Sequence, residues 1–137
     1  MKIRRLYATL PAILLLAASF VGQTKPGDAT VDVPFSFIVA KQKLPAGHYT
    51  VTTVSDGVIR VHGVESQGIL VPVHSVEGPV LQGSGKLVFH RYADTYFLSE
   101  VWIPGTHIGR QAFRSKAEKE MAAGRTESEV AVLTTPQ

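Results

Sequence analysis

Cysteine and asparagine are both missing from this 137-residue chain. Without cysteine there is no disulfide staple, no covalent haem attachment and no thiolate metal site, so packing alone must stabilise the fold. Without asparagine N-glycosylation is excluded, and tight turns fall to Gly, Asp, Ser and Pro. Excess charge is also lacking once the first residues are set aside. Lys2, Arg4 and Arg5 are three of the 14 Lys and Arg residues, and the other 11 face 11 Asp and Glu. The pI of 9.3 therefore belongs largely to the N-terminus. A basic face for nucleic acid is not expected in the remainder.

A long apolar run is the last absence. Residues 6–21 form a stretch of 16 that contains Pro11, short of the roughly 20 that a spanning helix needs. What the stretch matches is an export signal. Lys2, Arg4 and Arg5 give a positive start, residues 10–18 an apolar centre, and Ala17-Ala18-Ser19 the small side chains a signal peptidase accepts. The expectation is a signal peptide over residues 1–23, cut between Ser19 and Thr24, with an uncleaved anchor as the rival. The product is then secreted or periplasmic, with no stable membrane span after cleavage. The remaining chain of about 115 residues suffices for one domain with a modest core.

Residues 24–30 read as a flexible polar leader. From there Val31, Val33, Phe35, Phe37 and Val39 alternate with Asp32, Pro34, Ser36 and Ile38, which puts five apolar side chains on one face of a strand. Pro34 has no N–H for a ladder and predicts an edge position. After the turn-like KQKLPAGHY, residues 49–54 resume a β-branched pattern. Asp56-Gly57 then reads as a type I′ hairpin loop, pairing Val54 with Ile59 and Thr52 with Val61 on the inward side. Residues 69–75 are a further strand containing Pro72, and EGPVLQGSG is a loop. KLVFHRY and YFLSEVW form a hairpin through residues 93–95 that gathers Phe89, Tyr92, Tyr96, Phe97 and Trp102.

Ser115-Lys116-Ala117-Glu118 is a capping box, with the Ser hydroxyl serving the Glu118 amide and the Glu118 side chain reaching back. A helix over 116–123 follows, too short to hold in water alone, so it must dock through Ala117 and Met121 or fray. The organisation is a β domain over 31–113, a short helix within 114–124, and a polar tail over 125–137 that is largely disordered or adds one weak strand. The fold class is all-β, an antiparallel sandwich or small barrel with a short C-terminal helix.

Motif chemistry is sparse. GSGK at residues 83–86 lacks the earlier glycine, the following Ser or Thr and the helix of a phosphate-binding loop, and reads as a hairpin-type loop. His48, His62, His74, His90 and His107 lie 12 to 17 residues apart, not at metal-ligand spacing. No serine occupies a Gly-x-Ser-x-Gly elbow. One constellation remains: His90, Arg91, Tyr92, Asp94, Tyr96, Glu100 and Trp102, all on or beside one hairpin. A three-residue loop sets Tyr92 opposite Tyr96, His90 opposite Leu98 and Val88 opposite Glu100, so His90 and Glu100 become diagonal neighbours. A carboxylate beside an imidazole can do acid–base work, but a structural ion pair is the commoner role. No catalytic residue, metal or cofactor is expected.

The blocks FSFIVAKQKLPAGHYTV, LVFHRYADTYFLSEVWIPG and GRQAFRSKAEKEMA give the chain a resemblance to a group of small, exported, uncharacterised acidobacterial proteins. Their pattern runs VPFxFxVGxxxLPAGxYxV, LVFHRYGDxYFLSEVW and GRxLxxSxxE. The resemblance implies no activity. Ala93 stands where that pattern commonly has Gly, which argues against a positive-φ turn there. LPAGHY is also similar to the Leu-Pro-x-Gly-x-Tyr step of secreted sandwich modules, which implies a structural role for Tyr49 at a corner between sheets.

The leading functional expectation is an exported, non-enzymatic β-domain that binds a protein or cell-envelope component, its aromatic hairpin offering an amphipathic surface. The alternative is a carrier of a small apolar ligand inside a closed barrel.

Overall fold

Alternation of apolar and polar side chains builds each wall of the molecule, because successive residues of a strand point to opposite faces. The computed structural model describes residues 28–64 and 67–135, so the expected signal peptide and residues 24–27 of the leader lie outside it. The elements in chain order are β1 (Asp28–Val33), β2 (Phe37–Val39), β3 (Gln42–Leu44), β4 (Gly47–Ser55), β5 (Val58–Gly63), β6 (Ile69–Glu77), β7 (Lys86–Tyr92), β8 (Thr95–Trp102), β9 (Ile108–Ala112), α1 (Lys116–Gly124) and β10 (Glu127–Leu133). Every second residue is buried in β1 (Val31, Val33), β4 (Tyr49, Val51), β5 (Ile59, Val61) and β6 (Val71, Val73). These side chains meet Phe37, Phe89, Leu98 and Val101 in a single core.

Strands β1, β4, β5 and β6 pair in that order, all antiparallel. The first half of β6 pairs with β5 and the second half with β9, so this one strand carries the sheet round into a second wall of β9, β8, β7 and β10. Near Phe97, β8 also takes β2 as a parallel neighbour through Ile38, and β3 hairpins onto β2. The outermost strands β1 and β10 meet only at a bridge between Val31 and Thr134, reinforced by the Thr135 amide donating to Thr30 at 2.8 Å. The sheet is not closed into a barrel. Tyr49 holds the corner anticipated for it: its ring lies edge-on to Phe37 and its hydroxyl donates to the Pro45 carbonyl at 2.5 Å.

Several details differ from the sequence reading. The run 31–39 is two strands, β1 and β2, interrupted at Pro34 where the chain passes from one wall to the other. Its five apolar side chains still pack inward, Phe35 only partly. Neither Asp56 nor Gly57 has positive φ, so the turn is not type I′. A bulge makes Thr53 oppose Ile59 and Ser55 oppose Val58, which turns Tyr49 and Val51 inward and leaves Val54 49% exposed. Strand β1 already starts at Asp28, inside the range expected for the leader. Of the two expectations for the tail, the added strand is the one seen: β10 pairs with β7 over seven residues, from Glu127↔Tyr92 to Leu133↔Lys86. Its isolated weakness disappears once β7 supplies a template.

Strand β9 carries no clean alternation and was not legible as a strand. Its Gly109 explains why: a Cβ there would lie 2.7 Å from the Trp102 indole, and one on Gly78 would lie 2.5 Å from the same ring. The tryptophan occupies the space their side chains would need.

Candidate functional site

The β7–β8 hairpin turns through two residues, Ala93 and Asp94, not three, since Tyr92 opposes Thr95. Ala93 adopts φ +54°, the left-handed region that glycine favours, despite its side chain. A bulge follows. Val88 opposes Glu100 but Phe89 opposes Leu98, leaving Ser99 as the extra residue. Phe89 and Leu98 thereby join the core, while His90, Tyr92 and Ser99 gather with Glu118 of α1.

That grouping brings four elements together. The His90 Nδ1 lies 2.9 Å from Glu118 Oε2, and the Tyr92 hydroxyl donates to the same oxygen at 2.9 Å. A carboxylate only accepts, so Nδ1 carries the ring proton. On the other side of the ring, Nε2 lies 3.1 Å from Ser99 Oγ, 3.3 Å from Glu127 Oε1 and 3.9 Å from Glu129 Oε1. Arg114 closes the group, with Nε 3.6 Å from Glu118 Oε2 and Nη2 2.8 and 3.1 Å from the two Glu127 oxygens. His90, Tyr92, Ser99 and Glu118 are all buried. Burial, followed by the hydrogen bond to Glu118 and that residue's negative charge, pushes the Tyr92 phenol up to about 12.

Glu118 does only half of what a capping box asks. Its amide donates to Ser115 Oγ at 3.2 Å, but its carboxylate turns down onto the sheet. It is the one buried residue of α1; Ala117 is exposed and Met121 half-buried. The helix therefore docks through a carboxylate and not through the apolar pair expected.

The seven residues singled out from the sequence separate into three places. His90 and Tyr92 belong to the clamp under α1. Arg91 is exposed, donates to the Ala93 carbonyl at 2.7 Å and lies over the Tyr96 ring. Tyr96 stacks on Phe35 with centroids 3.9 Å apart, and Asp94 is exposed in the turn. Glu100 does not meet His90. It accepts from Trp102 Nε1 at 2.7 Å and Gln111 Nε2 at 3.4 Å, at the far end of the hairpin. Ser99, Glu118 and Glu127 were missed as partners of His90, as was Arg114, which contacts the two glutamates. Arg114 and Glu118 sit at helical i, i+4 spacing, but only the docking of α1 and β10 reveals what they face.

Beside the clamp the sheet forks. Strand β8 pairs with β9 from Glu100 to Trp102 and with β2 at Phe97, and where the two neighbours part a cleft of about 280 Å³ opens. Ile38, Val39, Val71, Pro72, Phe97 and Leu98 give it an apolar lining, and Phe113 stands at it with 64% of its surface exposed. Lys41, Arg114, Ser115 and Glu118 supply its polar groups.

Ser99, His90 and Glu118 have the connectivity of a nucleophile, a base and an orienting acid. Glu127 competes for the same Nε2, however, and neither Ser99 nor His90 lines the cleft. As placed, the chain of bonds ties β7, β8, α1 and β10 together. Among the described residues no group of three His, Asp or Glu side chains is arranged to hold a metal ion, and no helix is long and apolar enough to cross a membrane. Compared with family models, curated proteins and solved structures, the chain matches none.

Proposed function

We propose that this protein is an exported, non-enzymatic β-domain whose work is binding, and that the cleft at the sheet fork is where it binds. The observation that carries the reading is an apolar cleft that reaches core residues Val39, Val71 and Leu98 while keeping polar groups and an exposed phenyl ring at its sides. Small-ligand sites have this composition, with mostly apolar walls and a few placed polar groups. The clamp is the contrasting case. His90, Tyr92 and Glu118 Oε2 are engaged with one another, and among the described residues no fully buried side-chain nitrogen or oxygen lacks a partner. A carrier with a barrel cavity has less support, because the interior is filled by the core and the sheet is open. Export rests on the tripartite N-terminus read from the sequence.

Native mass spectrometry of the full-length gene product, recovered from the periplasm or medium, tests both halves. The expected result is a chain beginning between Phe20 and Lys25 that holds a small molecule, or takes one up when added, and loses it on Phe113→Asp substitution. An intact Met1 found only in membranes would sink the export half. A mature protein that takes up none of a panel of small apolar molecules would sink the binding half.

A further inference from the structure

Resting on the reading of the cleft as a binding site, we infer that its ligand is a small zwitterion with an apolar side group, in chemical class an apolar α-amino acid. Its ammonium meets Glu118 and its carboxylate meets Lys41.

The first observation is the state of Glu118. Both short contacts to its carboxylate, from His90 Nδ1 and the Tyr92 hydroxyl, fall on Oε2, as does the longer approach of Arg114. Oε1 has no hydrogen bond. Among the described residues no sealed side-chain oxygen lacks a partner, so Oε1 is not sealed, although Glu118 as a whole is only 4% exposed. The residue lines the cleft, which is the opening that its free oxygen would use. A largely buried carboxylate oxygen without a partner favours a donor, and a charged donor most.

Lys41 is the second observation. It sits in the tight turn between β2 and β3, where Ala40 and Lys41 adopt φ +47° and +68° in succession. Such a turn suits Asn and Gly, and two L-residues with side chains hold it under strain. The turn sets Lys41 among the cleft residues, where among the described residues it makes no ion pair or hydrogen bond. An ammonium with three free donors recognises an anion.

Together these groups favour a ligand that carries both charges. A purely anionic amphiphile would bring its charge towards Glu118, and a purely cationic one would meet Lys41 and Arg114. A zwitterion answers both. The cleft, at about 280 Å³, lies just below the usual range for small-molecule sites, so it accommodates a single side group and not a long acyl chain. Ile38, Pro72, Phe97 and Phe113 set the preference for an apolar one.

Titration calorimetry of the mature protein with four probes tests this without disturbing the clamp. Leucine carries both charges, leucinamide lacks the carboxylate, and N-acetyl-leucine and octanoate lack the ammonium. Leucine should bind at least tenfold more tightly than each of the others. Lys41→Gly, which suits the positive φ and so keeps the turn, should weaken leucine at least tenfold and leave leucinamide unchanged. If octanoate or N-acetyl-leucine binds as well as leucine, the zwitterion is refuted while the cleft remains a binding site. Unchanged leucine affinity in Lys41→Gly overturns the role given to Lys41. If none of the four binds at millimolar concentration, the inference fails; if a wider panel of apolar molecules is also refused, the reading of the cleft fails with it.

Discussion

Replacing Glu118 with alanine isolates the bond that fastens helix to sheet. The substitution takes one acceptor away from two buried donors, His90 Nδ1 and the Tyr92 hydroxyl, each 2.9 Å from it. A buried donor left unmade costs about 1–3 kcal/mol, so two such donors imply a loss of roughly 2–6 kcal/mol, a large part of the 5–15 kcal/mol that holds a typical domain. Alanine is the better helix former, so intrinsic propensity works against the predicted loss and cannot produce it. Urea titration at neutral pH, followed by the fluorescence of Trp102, the single tryptophan, and by circular dichroism, gives the value. Ala117→Ser, at an exposed position on the same helix, should stay within about 0.5 kcal/mol of the parent. The reasoning is refuted if Glu118→Ala loses less than about 1 kcal/mol, or if Met121→Ala, which truncates the half-buried apolar side of α1, costs as much.

Phe35 is stacked on Tyr96 and edge-on to Phe89, so Phe35→Ala should destabilise by roughly 2–4 kcal/mol while Ser36→Ala is nearly silent; denaturant midpoints compare them. Ala93→Gly relieves a left-handed residue with a side chain and should raise stability by about 0.5–1 kcal/mol, read as an upward shift in thermal midpoint. The Tyr92 phenol, raised by burial to about 12 in the folded chain, titrates near its ordinary value of about 10 when unfolded. The unfolded state then releases its proton first, so stability falls as pH climbs from about 10 to about 12. Tyr92→Phe, though less stable at neutral pH, should lose less over that window; equal losses in denaturation at pH 9 and pH 11.5 would contradict it.

Strand existence was legible wherever burial on one face imposed a period of two, as in residues 49–54 and 86–92. Register was not. Two bulges, at Val54 and Ser99, each shift the pairing by one residue, and a bulge leaves no mark in a pattern of apolar and polar letters. The error mattered most at the candidate site. Val88 does oppose Glu100 as expected, but the bulge places Leu98 opposite Phe89 and gives His90 to Phe97. The residues that complete the clamp come from α1 and β10, elements whose own sequences are polar and short. Glu118 looks like a capping residue by spacing, and nothing local distinguishes a carboxylate that reaches back along its helix from one that turns into a sheet. Glu127 and Arg114 gain their meaning only when the tail lies along β7.

The bridge between Val31 and Thr134 joins residues more than a hundred positions apart in the chain. During synthesis β1 emerges about a hundred residues before Thr134, so the seam stays open over that span, and β7 waits about forty residues for its β10 partner. Pairing that waits on such distant segments is slow to form. For the exported protein proposed above, that delay is useful. A chain that cannot close this seam until Thr134 has emerged remains threadable through a narrow translocation channel, and the seam is left to be made on the far side.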